Sequence, residues 1–90
     1  MTNELRLTEV MLDTISGIPP EMRKEEHILL FLKCLTNLQK EDENEEFSSL
    51  FISGMELVKD FEKRNKKALI VDFDSKESIS SIFETFEQSF

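Results

Sequence analysis

Residues 27–38 read His27-Ile28-Leu29-Leu30-Phe31-Leu32-Lys33-Cys34-Leu35-Thr36-Asn37-Leu38, and the fold turns on how they are interpreted. Alone, the apolar run Ile28–Leu32 could pass for a buried strand. Its leucine richness and the longer pattern around it decide for a helix. Ile28, Phe31, Leu32, Leu35 and Leu38 cluster on a helical wheel, with Leu30 and Cys34 beside them. The apolar arc covers about half the circumference, more than the stripe of an ordinary surface helix. The expectation is a central helix, starting at Pro20-Glu21, which suit a first turn, and ending near Lys40.

Outward from this segment, the pattern stays helical. Upstream, a helix capped by Thr2 or Asn3 runs to Ser16. Leu7, Val10, Met11, Ile15 and Ile18 share one side, and Leu5 and Leu12 form a weaker second stripe. Gly17 and Pro19-Pro20 enforce its end. Downstream, a third helix capped by Asp42 or Asn44 runs to about Arg64, with Phe47, Leu50, Phe51, Gly54, Val58 and Phe61 on one face. A glycine inside a helix costs about 1 kcal/mol. On the apolar face, Gly54 predicts the close approach of a neighbouring helix. Ile52 points away, toward Glu56, Lys59 and Lys63. A last helix is expected from Asp74 or Ser75, with the stripe Ile79, Ile82, Phe83, Phe86 and Phe90 docked on the second and third helices or on another molecule.

Ala68–Phe73 is the exception. Its β-branched residues favour a strand, yet no other segment looks like its partner, and a lone strand leaves backbone groups unpaired. Helical continuation, an extended connector and a strand pairing between chains all remain open. The expected fold is all-α: a compact bundle of three to four helices, one domain over residues 1–90, with residues 68–73 undecided.

The chain has 90 residues, with 11 Lys and Arg against 19 Asp and Glu and a formal charge of −8. That balance disfavours direct contact with nucleic acid, which needs clustered cations, and with anionic membrane surfaces. It favours a protein partner with a basic surface. No run of 18 apolar residues offers a membrane span. A single cysteine, Cys34, and an acid-bearing stretch over residues 1–20 read as a cytoplasmic protein of a reducing compartment.

Catalytic motifs find little support. Val71-Asp72-Phe73-Asp74-Ser75 resembles the nucleophile loop of haloacid-dehalogenase-type phosphatases and the metal-binding pair of some glycosyltransferases. In those phosphatases the loop opens a parallel α/β domain, whereas only one helix follows here, so the segment reads as a connector ending in a helix cap. Asp42-x-Asn44-x-Glu46 echoes a calcium loop, but Phe47 replaces the glycine and Ser53 the final glutamate. His27 and Cys34 are seven apart on one helix, about 10 Å along its axis, and cannot act on one atom together. His27 is expected at the core boundary over Phe31, and Cys34 as a small core hydrophobe. The basic cluster Lys63, Arg64, Lys66 and Lys67 suits the negative end of a helix. No enzyme, cofactor or metal centre is expected.

What remains is a binding surface. Glu41, Asp42, Glu43, Glu45 and Glu46 form the sharpest charge run, and Ile52, Phe86 and Phe90 are apolar residues that so small a bundle struggles to bury together. The expected function is a small acidic binding protein that neutralises or regulates a basic partner by occlusion, a profile similar to immunity proteins, antitoxins and phage-encoded inhibitors. The alternative is a self-associating scaffold or adaptor subunit, forming a homodimer through its apolar surface.

Overall fold

The helix expected from Pro20 to Lys40 is split in two. In the computed structural model, which describes residues 4–39, 45–70 and 77–90, Pro20–Met22 form a single 3-10 turn and the second helix begins at Glu25. Arg23 between them is extended, at φ −70° and ψ 132°. Its side chain accounts for the break. The Nε group donates to the carbonyls of Ile15 and Ile18, both at 3.1 Å, and Nη2 donates to that of Ser16 at 3.3 Å. Ile15 and Ser16 lie in the last turn of the first helix and Ile18 just past it, where carbonyls run out of intrahelical partners, although the Ile15 carbonyl also accepts from the Ile18 amide at 3.0 Å. Nη1 also faces Asp60 at 3.8 Å. Arg23 thus caps one helix and ties it to another, a role that a place inside a continuous helix would forbid.

Four α-helices follow in order among the described residues: α1 (Glu4–Gly17), α2 (Glu25–Gln39), α3 (Glu45–Asn65) and α4 (Ile79–Gln88). No described residue forms a strand, and the fold is an all-α bundle. α1 and α2 pack on each other, and α3 and α4 each pack on both. The α1–α2 pair is therefore the middle of the molecule, with α3 in one of its grooves and α4 in the other. The radius of gyration, 12.3 Å, matches the roughly 12 Å of a compact domain of this length.

One apolar cluster joins the four helices. α2 supplies Ile28, Leu30, Phe31, Leu32, Cys34, Leu35 and Leu38, all buried, as expected of a central helix. α1 contributes Met11 and Ile15 together with Thr8, which the apolar pattern passed over. The Thr8 hydroxyl enters the core by donating to the Glu4 carbonyl at 2.9 Å. Because α1 faces three neighbours, Leu5 and Leu12 pack against the core as well. Val10, expected on the inner side, is turned out to solvent.

α3 is rotated by about one residue's turn from the expected face. Leu50, Gly54, Leu57 and Phe61 point inward, and Phe51 is exposed. Gly54 lies where the helices meet most closely. A Cβ placed there would stand 2.7 Å from Phe31 Cε2 and 3.0 Å from Leu35 Cδ1, the close approach that its position predicted. α3 ends with Lys66 at a positive φ of 51° and the Lys67 amide donating to the Glu62 carbonyl at 3.2 Å, a Schellman-type stop. The Leu69 amide then donates to Glu62 Oε2 at 2.8 Å, and Lys67 pairs with Glu25 at 2.8 Å. Residues 67–70 are neither helix nor strand, so the chain does not continue α3, and residues 71–73 lie outside the described part.

α4 starts later than expected. Glu77 and Ser78 are not helical, and Ser78 is the cap, its hydroxyl accepting from the Ser81 amide at 3.2 Å. Asn37 Nδ2 donates to the Glu77 carbonyl at 3.1 Å and fixes the entry of α4 against α2. Ile79, Ile82 and Phe86 fill the core. The stripe docks within the molecule, on α1 and α2 rather than on the second and third helices.

Candidate functional site

The surface that a partner could meet follows from which apolar side chains the core leaves out. The rotation of α3 leaves Phe51 and Ile52 side by side in solvent, 43% and 61% exposed. Phe47 and Met55, one turn to either side of Phe51, are half-buried. The Phe47 and Phe51 rings are 6.1 Å apart and tilted by 31°, so the two form one apolar ridge. Glu45 and Glu56 flank Ile52 on the outward side, and both are exposed. Neither forms an ion pair within the described residues. Between Glu41 and Glu56 the chain has six acids and no base, and the first cation, Lys59, stands one turn further on.

Of the expected contact residues, Ile52 and Glu45 belong to this face. The backbone of Glu46 lies in the first turn of α3, but its side chain, like Glu41, Asp42 and Glu43, is outside the described part. Phe86 does not belong to the surface. It is 2% exposed, because α4 turns its stripe into the groove of α1 and α2, and it is a core residue. Phe90 is 63% exposed, yet it stacks on His27 with ring centroids 4.3 Å apart and meets Phe86 edge-on at 5.0 Å. It follows α4, on the opposite side of the α1–α2 pair from Ile52, so the two do not form one surface. Phe51 was missed because the wheel that placed it inside gave Leu57 no part. The buried Leu57 competes for the same arc.

His27 is more deeply set than a boundary residue. It is buried beneath Phe90 and Phe86, with the Phe86 ring 5.2 Å away and edge-on. The Ser89 hydroxyl donates to the Phe86 carbonyl at 2.7 Å, so its oxygen must accept the 2.7 Å bond from His27 Nε2. The imidazole then carries its proton on Nε2, and the buried Nδ1 has no partner. Burial pushes the His27 pKa below its ordinary value and Lys24 adds to this, while Ser89 and Glu26 act in the opposite direction. The neutral ring is a structural plug between α2 and the end of α4.

Cys34 donates to Met11 Sδ at 3.5 Å. Its burial, with Glu4 adding a smaller push, raises the thiol to about 12, so it is a protonated core residue without the thiolate that nucleophilic chemistry uses. Among the described residues, no three of His, Cys, Asp and Glu converge to hold a metal ion. Within the basic cluster, Arg64 bonds to Asp60 at 2.9 Å and Lys67 to Glu25, so two of its four cations are engaged by neighbouring acids. The Asp72–Asp74 pair lies outside the described residues. None of the described helices is long and apolar enough to cross a membrane.

No protein-family model, no curated protein and no solved structure matches this chain.

Proposed function

We propose that this chain is a small acidic, non-enzymatic binding protein that neutralises or regulates a basic protein partner by occlusion, as immunity proteins, antitoxins and phage-encoded inhibitors do. The observation that carries this reading is the outer face of α3, where Phe51 and Ile52 are exposed beside Glu45 and Glu56 in a segment without a single base. Apolar anchors supply most of the affinity of such a contact, and the surrounding carboxylates speed encounter and select for a cationic surface. The net charge of −8 extends that selection beyond the contact itself.

The test is capture by the immobilised protein from source cells at low salt, with sedimentation of the free protein alongside. A basic protein released by moderate salt, together with a monomeric free protein, supports the reading. Capture of the protein alone, with a stable homodimer in sedimentation, replaces it with the scaffold alternative. Once a partner is in hand, Glu41→Gln, Glu43→Gln and Glu45→Gln together should slow association and flatten its salt dependence, leaving dissociation nearly unchanged.

A further inference from the structure

Exposed apolar side chains are common singly, and Met22, Val10 and Ile70 are of that kind here. α3 differs. Residues 47–58 contain Phe47, Leu50, Phe51, Ile52, Met55, Leu57 and Val58, whereas the remainder of the helix, 59–65, contains only Phe61. An amphipathic helix that serves one core needs one stripe. The N-terminal half of α3 carries apolar residues on the core side, on one flank and on the outer side. That is the pattern of a helix packed on two sides, and among the described residues α1, α2 and the turn Pro20–Met22 cover only the inner one.

The geometry points to the missing neighbour: we infer that the outer face of α3, with Phe51 and Ile52 at its centre and Glu45 and Glu56 on its rim, docks a cationic amphipathic helix of a partner protein. This inference rests on the proposed binding function and names the element through which it works. From Glu45 to Glu56 the face runs eleven steps, about 16 Å of helix axis, which suits a crossing helix of two to three turns rather than a broad flat surface. Helix packing of this kind uses anchors at steps of three and four, and Phe51 and Ile52 stand four and three positions from Met55 on this face. The charge argument sets the partner's sign. Lysines or arginines flanking the incoming apolar stripe would meet Glu45 and Glu56, neither of which has an ion-pair partner within the described residues.

The same charges argue against a second copy of this chain. A two-fold contact is self-complementary, with the same patch on both sides. It would bring together two molecules of charge −8 each, and with them two copies of the base-free segment 41–56. Like charges facing across an interface oppose association.

The experiment uses the full chain and a labelled peptide of about 18 residues, long enough to hold a helix. The peptide is built of leucine and lysine with the leucines on one face, and a second peptide carries glutamate in place of every lysine. Fluorescence anisotropy at low salt reads binding. Wild type should bind the lysine peptide and not the glutamate peptide. Ile52→Ser and Phe51→Ser, at positions already in solvent, should each weaken binding by about tenfold or more, the scale of an anchor truncation. Glu56→Lys should weaken it and flatten its salt dependence. Met22→Ser, another exposed apolar residue, should leave it unchanged, and circular dichroism confirms that each variant is folded. Equal binding by wild type, Ile52→Ser and Phe51→Ser overturns the inference while sparing the broader reading, since diffuse charge attraction would remain. Absence of any binding to the lysine peptide overturns it too. So does a dimer in sedimentation that Ile52→Ser abolishes, because a second copy would then be the occupant. Failure of the broader reading shows separately, as capture that returns no basic protein.

Discussion

The contact at Gly54 gives the sharpest test of the packing. A methyl added there would overlap the ring edge of Phe31 at 2.7 Å and touch the Leu35 methyl at 3.0 Å, where carbon atoms rest at about 3.5–4.0 Å. Neither neighbour has room to move, because Phe31 and Leu35 are both buried in the core. Two effects then oppose each other. Alanine in a helix interior is favoured over glycine by about 1 kcal/mol. Overpacking a dense core costs about 1–3 kcal/mol. With a ring edge rather than a flexible chain end in the way, the cost should fall in the upper part of its range, about 2–3 kcal/mol, leaving Gly54→Ala less stable by about 1–2 kcal/mol.

Gly17→Ala provides the control. Gly17 ends α1 with nothing within 4 Å of an added Cβ and without a positive φ, so alanine should stabilise by about 0.4–1 kcal/mol. The same chemical change should thus move the urea midpoint in opposite directions at the two sites. With a slope of about 1 kcal/mol per molar expected for a small domain, Gly54→Ala should lower the midpoint by about 1–2 M. Phe31→Leu should relieve part of the clash, so the double variant should lose less than the sum of the single losses. A Gly54→Ala protein whose midpoint rises as Gly17→Ala does would refute the close approach of α2 and α3.

Other expectations follow from single residues. Arg23 has a side chain only 12% exposed and satisfies three carbonyls at the end of α1, so Arg23→Met should cost about 2 kcal/mol in chemical denaturation, and Arg23→Lys should recover little because an ammonium cannot reproduce the planar fork. The chain has one histidine, and its folded pKa lies below the ordinary 6.5; stability that is complete above pH ~6.5 should therefore fall as pH drops through that value toward the folded pKa. His27→Gln should flatten that slope, and a wild-type imidazole resonance titrating above 6.5 would contradict the buried neutral ring. Removing residues 78–90 should abolish cooperative unfolding, since Ile79, Ile82 and Phe86 fill the groove of α1 and α2, and a truncated chain that melts like the full one would show that α4 is dispensable to the core.

The all-α class and the central place of α2 were legible because leucine spacing over residues 28–38 leaves little freedom. Gly54 was legible for a related reason: a glycine on an apolar helix face has few explanations other than a close neighbour. The break at Arg23 was not. Pro20 and Glu21 carry genuine helix-start signals, and they do form one helical turn. What ends that turn is a bond from Arg23 to carbonyls five to eight residues back, a tertiary contact that no local propensity encodes. The start of α4 failed similarly: Asp74 and Ser75 carry cap chemistry, but the cap is Ser78, beside the Glu77 carbonyl that Asn37 of α2 holds.

The candidate site was legible in charge and only partly in shape. Its acids stand in the sequence, and Ile52 declares itself by pointing away from every apolar stripe. Phe51 does not, because a wheel fixes the apolar arc of a helix only to within about a residue, and that uncertainty decides whether a border aromatic is core or surface. The C-terminal aromatics show the converse. Phe86 and Phe90 share a stripe, yet one fills the core and the other lies over His27, since a stripe records which side is apolar and not where along the helix the core stops. A bundle with a core this small has few inward positions on each helix. On α3 the apolar residues outnumber those positions, and the surplus falls where the bases are missing. It is this coincidence of excess apolar surface with uniform charge that makes the outer face of α3, rather than any scattered exposed side chain, the place to look for a partner.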